Sequence, residues 1–381
     1  MINKIDPLIL NKIKAFNIQN NIDCIVYYNE CDNCKSLIDR YVDDYVELPF
    51  INAYGVTLPF NQILDISKYN QIKYITSSVD VQAQINVSKK IIELNSRDIV
   101  HNFCTVIIDT GVSPVVDLCV PKNRIVKFID LVNNKNQPYD DNGHGTFVSS
   151  ILCGNGTISG GKYAGIDTNS NIIVIKALDN NGEATVVNIL KAMQWVMDNR
   201  FDYNIKVVCM SFGSSIIVSN DPLIKGAEIM WDNGICVVAA AGNSGPESGT
   251  IKSPGASYKI ITVGAIDDFR EGDSYDVSNF RVADFSSRGP VLENYKPDVV
   301  APGVEIKSAC NYRLNKVHYK TMSGTSVATP MVAGICNLLI ASNSNYKPND
   351  IKRLLMNNTI SINNERNAEG FGLINCKNLI F

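Results

Sequence analysis

The chain has 381 residues, 45% of them hydrophobic, enough to bury a large core and too many for a disordered polypeptide. Its 35 Lys and Arg nearly balance 38 Asp and Glu, for a net charge of -3, so no electrostatic footprint for nucleic acid or an anionic membrane is present. The expected partners are a polypeptide or a small molecule, with no nucleic acid and no membrane.

The opening Met1-Ile2-Asn3-Lys4-Ile5-Asp6-Pro7 lacks the apolar core and small-residue cleavage site of a secretory signal, and Asn11, Lys12 and Lys14 interrupt the next stretch of chain. Apolar runs such as residues 235–241 fall short of the roughly 20 residues that span a bilayer. A cytoplasmic location is the expectation. The eleven cysteines, many in apolar settings such as Val207-Val208-Cys209-Met210, read as buried free thiols in a reducing compartment. Cys31-Asp32-Asn33-Cys34 has the spacing of a redox pair or half a zinc site, but no second pair stands at a matching distance, and coincidence is preferred.

Residues 1 to about 80 alternate apolar runs (23–28, 46–58, 71–75) with helical stretches (34–41, 61–69), which predicts a small α+β domain. From Cys104 onward, short apolar strands at 105–108, 171–177, 206–210, 235–241 and 260–265 are separated by longer helical patterns at 184–199 and 222–233. That alternation predicts an α/β, doubly wound, mostly parallel sheet with helices on both faces, over residues 81–381.

Three histidines restrict any imidazole chemistry to His101, His144 or His318. His144 lies in Asp140-Asp141-Asn142-Gly143-His144-Gly145-Thr146, where the flanking glycines admit close approach of another backbone segment. For the other two, ordinary surface or partly buried roles are expected. Asp109 ends the run Thr105-Val106-Ile107-Ile108, which puts a carboxylate at the carboxyl end of a parallel strand, the edge where open α/β sheets build their sites. Alone it reads as a turn residue; paired with His144 it becomes an orienting carboxylate. Ser326, in Ser323-Gly324-Thr325-Ser326-Val327-Ala328, stands at the start of an apolar helix, where it reads as a cap or as a nucleophile beside free backbone N–H groups.

These three stretches, with Ala239-Ala240-Ala241-Gly242-Asn243-Ser244-Gly245, Phe285-Ser286-Ser287-Arg288-Gly289-Pro290 and Lys296-Pro297-Asp298-Val299-Val300-Ala301-Pro302-Gly303, resemble the subtilisin-like serine proteases over residues 84–379. The resemblance implies Ser326 as nucleophile, His144 as general base and then acid, Asp109 as its orienter, and Asn243 as side-chain donor to the oxyanion. It implies a peptide groove bordered by Ser211-Phe212-Gly213 and Gly182-Glu183-Ala184, with Val186, Ile189 and Phe212 lining an apolar pocket unless they are core. It further implies that Ala240, Gly242 and Lys252 bound the pocket for the side chain preceding the cut. Lys252 stands where glycine is common. Inside the pocket it favours Glu, Asp or Gln over Lys or Arg; pointing to solvent, it does nothing.

The chain departs from the family at Phe147, Ser149-Ser150, Val327 and Met331, which read as packing changes. Gly154-Asn155-Gly156-Thr157-Ile158-Ser159-Gly160-Gly161 does not match the calcium loop of secreted relatives; no cofactor is needed for the chemistry, and a structural calcium has no support in the sequence. The first 80 residues fit a prodomain that assists folding, inhibits in cis and is cut away between Thr76 and Gln84. The expected function is thus a self-processing serine endopeptidase. Alternatives are a silent peptide-binding protein that keeps its prodomain and acyl transfer to an acceptor other than water.

Overall fold

The strand Ala53–Pro59 alternates inward Tyr54, Val56 and Leu58 with open Gly55 and Thr57, the period of a sheet buried on one face. It belongs to the first of two compact units, Met1–Ala83 and Gln84–Phe381, of a computed structural model. The structure describes residues 4–5, 9, 21–29, 34–48, 52–77, 87–94, 101–214, 221–269, 276–362 and 365–379.

In the first unit, β1 (Asn21–Tyr28), β2 (Val46–Leu48), β3 (Ala53–Pro59) and β4 (Ile72–Ser77) form an antiparallel sheet in the order β2-β3-β1-β4. Helices α1 (Cys34–Ile38) and α2 (Phe60–Ser67) contribute Ile38, Ile63 and Ile66 to a core shared with Val26 and Ile75. Cys34 is disulfide-bonded, which corrects the expectation of free thiols throughout, and its partner lies outside the described residues.

The second unit is built on a ten-stranded sheet. Its members are β5 (Cys104–Asp109), β6 (Ile125–Asp130), β7 (Asn171–Lys176), β8 (Ile205–Met210), β9 (Cys236–Ala240), β10 (Ile261–Asp267), β11 (Arg281–Val282), β12 (Val299–Pro302), and, beyond a hairpin of β13 (Ile306–Ala309) and β14 (Tyr319–Met322), β15 (Thr359–Ile360) and β16 (Leu373–Ile374). The order is β15-β16-β12-β10-β9-β8-β5-β7-β6, with β11 on β10 and every pairing from β6 to β16 parallel. Strand β5 is buried at every position, as a strand covered on both faces must be. The order reverses between β5 and β8, a switch point of the kind that opens a crevice at the carboxyl edge.

Helices α3 (His144–Cys153), α4 (Val186–Asn199), α5 (Pro222–Asp232) and α6 (Thr325–Ser342) cover the sheet. Helix α4 starts at the Thr185 cap, whose hydroxyl accepts from Asn188 N, and α5 at the Asp221 cap. Helix α6 is apolar all round and lies against β8, β9, β10 and β12, so its length and composition reflect a core position. Strand β6 and the β13–β14 hairpin escape the sequence reading because exposed polar residues such as Lys127, Lys307 and Thr321 break their apolar runs.

One polar bridge runs through this core. Asn337 of α6 is fully buried, accepts from Thr105 Oγ1 of β5 at 2.8 Å and donates to Ser170 Oγ at 2.9 Å. Asn337→Leu strands both hydroxyls without a partner, and urea unfolding is expected to show a loss of about 1–3 kcal/mol per unsatisfied group.

Candidate functional site

Five segments build the site: those after β5, β6, β8 and β9, and the start of α6. Asp109, the last residue of β5, is buried, and its Oδ1 accepts from His144 Nδ1 at 2.7 Å and from Thr110 N at 2.7 Å. His144 is the first residue of α3 and keeps about one-fifth of its side chain exposed, 20%. The bond at Nδ1 leaves Nε2 as the ring nitrogen able to exchange a proton.

The loop that leads from β6 into His144 is fixed by Asp140, which is buried. Its Oδ1 accepts from Thr110 Oγ1 (2.9 Å), Gly143 N (2.7 Å) and Asn142 N (3.2 Å), and its Oδ2 from Thr146 N (2.8 Å) and Thr146 Oγ1 (2.6 Å). Thr110 Oγ1 in turn accepts from Gly145 N at 2.9 Å. Gly143 holds φ at 98°, and a β-carbon on Gly145 would come 2.1 Å from the Gly111 carbonyl oxygen. Both positions therefore demand glycine, for backbone conformation and for close approach.

Lys176, at the end of β7 and fully buried, donates to Thr110 O (2.7 Å), Asp141 Oδ1 (2.7 Å) and Leu178 O (3.0 Å). It clamps the residue beside Asp109 to the histidine loop, a role the sequence reading missed. A lysine ending a run of isoleucine and valine is the signal that could have found it.

Across the crevice, Thr325 sets the orientation of Asn243. Asn243 Oδ1 accepts from Thr325 N and Thr325 Oγ1, both at 2.9 Å, while Thr325 Oγ1 accepts from Gly242 N at 3.2 Å. With its oxygen engaged, the Asn243 amide presents Nδ2 as a free donor. Ser326 is the second residue of α6, so its N–H belongs to the turn without intrahelical acceptors. A β-carbon built on Gly324 would lie 3.0 Å from Ser326 Oγ and 3.5 Å from Asn243 Nδ2, which shows hydroxyl and amide converging on one spot.

The border residues differ in burial. Ser211 and Ala240 are buried, Phe212 packs on the core, and Gly213 is open. Gly182, Glu183 and Ala184 are exposed before α4, and Val186 is exposed as well. Ile189 is a core residue, 3% exposed, because it faces the sheet side of α4. Of the departures from the family, Phe147, Val327 and Met331 are buried, and Ser149 and Ser150 donate to the Gly145 and Thr146 carbonyls of their own helix. His318 is exposed and stacks on Tyr312, whereas His101 is buried and paired to Asp167 at 2.7 Å, deeper than expected.

In and beside residues 154–161 the side-chain oxygens are engaged by protein donors. Nearby Asp117 receives Ile158 N on Oδ1 and Tyr319 OH on Oδ2, and Asn155 Oδ1 receives Thr157 Oγ1, so the oxygens serve the protein itself. Among the described residues no group of three or more His, Cys, Asp and Glu is arranged to hold a metal.

Burial opposes charge on His144, but the charge and hydrogen bond of Asp109, with a smaller contribution from Asp140, outweigh it and hold the imidazole above its ordinary 6.5. An NMR titration of the His144 ring is expected to give a midpoint above 6.5, and one that falls in Asp109→Asn because the anion is gone.

The chain matches the Subtilase family over residues 104–372. It is 38% identical over 336 residues to serine protease AprX of Bacillus subtilis (strain 168), covering 83% of this chain and 74% of that protein. It is 31% identical over 272 residues to subtilisin DY of Bacillus licheniformis, covering 71% and 87%. Among solved structures, S41 psychrophilic protease aligns with a TM-score of 0.64 at 28% identity, covering 78% of this chain and 99% of that one. With the fold and the crevice in agreement with these likenesses, the chain belongs to the subtilase family of serine endopeptidases.

Proposed function

We propose that the chain hydrolyses peptide bonds through Asp109, His144 and Ser326, with Asn243 as oxyanion donor. The observation that carries this reading is the 2.7 Å bond from His144 Nδ1 to Asp109 Oδ1. Ser326 Oγ attacks the peptide carbonyl carbon and its proton passes to His144 Nε2. The oxygen gains negative charge between Asn243 Nδ2 and the Ser326 N–H. As the C–N bond breaks, His144 returns the proton to the departing amine. A water then repeats the sequence on the acyl-enzyme, releasing the acid and restoring Ser326. Asp109 stays ionised throughout and stabilises the imidazolium.

The unit Met1–Ala83 serves in this reading as a prodomain, cut from the enzyme between Thr76 and Gln84, most of which lies outside the described residues. Its separate core and sheet support a part that folds as a unit. A cytoplasmic location is supported by nine free cysteines.

Intact-mass analysis of the expressed chain tests both proposals. The wild type is expected to lose its N-terminal unit while Ser326→Ala stays full length, and a serine-directed fluorophosphonate should label Ser326 but not react in His144→Ala. Retention of the unit in a fully active wild type would make it a permanent accessory domain. Asn243→Ala is expected to lower kcat by about 10²–10³-fold, the loss found when a subtilisin is deprived of its one side-chain oxyanion donor. The pH profile of kcat/KM should fall as pH drops through a midpoint above 6.5, because the protonated His144 cannot accept the serine proton.

A further inference from the structure

We propose that Lys252 makes this enzyme select substrates with a carboxylate side chain on the residue that supplies the scissile carbonyl. The inference rests on Ser326 as nucleophile and Asn243 as oxyanion donor, and adds the substrate class.

The location is dictated by bonding. In the acyl-enzyme the carbonyl carbon is attached to Ser326 Oγ, and the carbon bearing the side chain is attached directly to that carbonyl. The side chain therefore lies within a few ångströms of the segment carrying Asn243. Gly242 immediately precedes Asn243, and its N–H donates to the hydroxyl of Thr325, the neighbour of Ser326.

Lys252 enters this space. A β-carbon added to Gly242 would come 2.4 Å from Lys252 Cγ, and one added to Gly213 would come 2.6 Å from Lys252 Cβ. The lysine stem thus packs against two residues that have no side chains of their own. Its backbone is anchored to both segments: Lys252 N donates to Ala241 O at 2.9 Å, and Ser214 N to Ser253 O at 2.8 Å. This packing of the stem against Gly213 and Gly242 favours the pocket over solvent, the two readings that the sequence leaves open.

The buried lysines elsewhere have carboxylate partners, Lys176 with Asp141 and Lys296 with Asp298, each within 2.7 Å. Among the described residues the partly buried Lys252 has no hydrogen bond or ion pair from its ammonium. A cation carried on a stem packed between Gly213 and Gly242, with no anion of its own among the described residues, attracts an anionic side chain and repels a cationic one. A lysine ammonium is a mobile point charge on a flexible stem, so it meets a Glu or an Asp carboxylate without requiring one fixed geometry.

The test uses the full chain and peptides that differ only in the residue before the cut: Glu, its uncharged isostere Gln, Leu and Lys. At low salt, kcat/KM for Glu is expected to exceed that for Gln by about tenfold and that for Lys by roughly a hundredfold, the gap narrowing at 1 M salt. Lys252→Gln should bring the Glu-to-Gln ratio to about one, and Lys252→Glu should put the Lys peptide ahead of the Glu peptide. If the Glu-to-Gln ratio is the same in wild type and Lys252→Gln, the inference fails, while cleavage that disappears in Ser326→Ala leaves the catalytic reading intact. If cleavage persists in Ser326→Ala, the catalytic reading fails and the inference with it.

Discussion

The arrangement of the crevice depends on one buried anion, Asp140. None of its five hydrogen bonds reaches Ser326 or Asn243, yet it holds the residue after Asp109 by the Thr110 hydroxyl and the residue before His144 by the Gly143 N–H. The two members of the 2.7 Å pair are therefore placed by a third carboxylate. A carboxylate so fully satisfied gains charge-assisted bonds that offset its removal from water. Lys176 adds a cation on the outer side, tied to Asp141 in the same loop and to the Thr110 carbonyl. Loop and strand end consequently behave as one rigid piece, and the histidine inherits its orientation from the sheet.

The opposite wall is built on the same logic with neutral groups. Thr325 uses its N–H and hydroxyl to engage the Asn243 oxygen, so the amide cannot turn over without losing both bonds. The next residue, Ser326, then stands at the head of α6, a helix buried along its length. Each of the positions proposed to react is thus one residue away from the residue that anchors it: Asp109 beside Thr110, His144 beside Gly143, Ser326 beside Thr325. Anchoring by neighbours leaves the functional side chains themselves free to exchange partners.

Much of this was legible in the sequence. Buried parallel strands announce themselves as unbroken apolar runs, and β5, β7, β8, β9 and β10 lie within one or two residues of their predicted bounds. The residues of the candidate site were legible because short polar motifs interrupt those runs at strand ends. The illegible part depends on contacts between distant segments. Asp140 looked like any acid in a polar loop, and Thr325 like a small residue in a turn. The pairing of Asn337 with Thr105 spans 232 positions, and no local pattern encodes it. Ile189 shows the reverse limit: on sequence an apolar residue near the groove serves equally as wall or core, and only the facing of α4 decides.

The free cysteines carry a separate consequence. Of the nine among the described residues, eight are buried and Cys119 is partly open. Burial drives the Cys209 and Cys376 thiols up to about 12, so at neutral pH their reactive thiolates are scarcely populated. Even Cys119 is pushed up by burial and donates to Asn123. Cys104, Cys153, Cys209, Cys236, Cys336 and Cys376 sit in the apolar core of the larger unit, where sulfur fills space much as a hydrocarbon does. Swings in the oxidation state of the surroundings should therefore leave the larger unit's packing untouched.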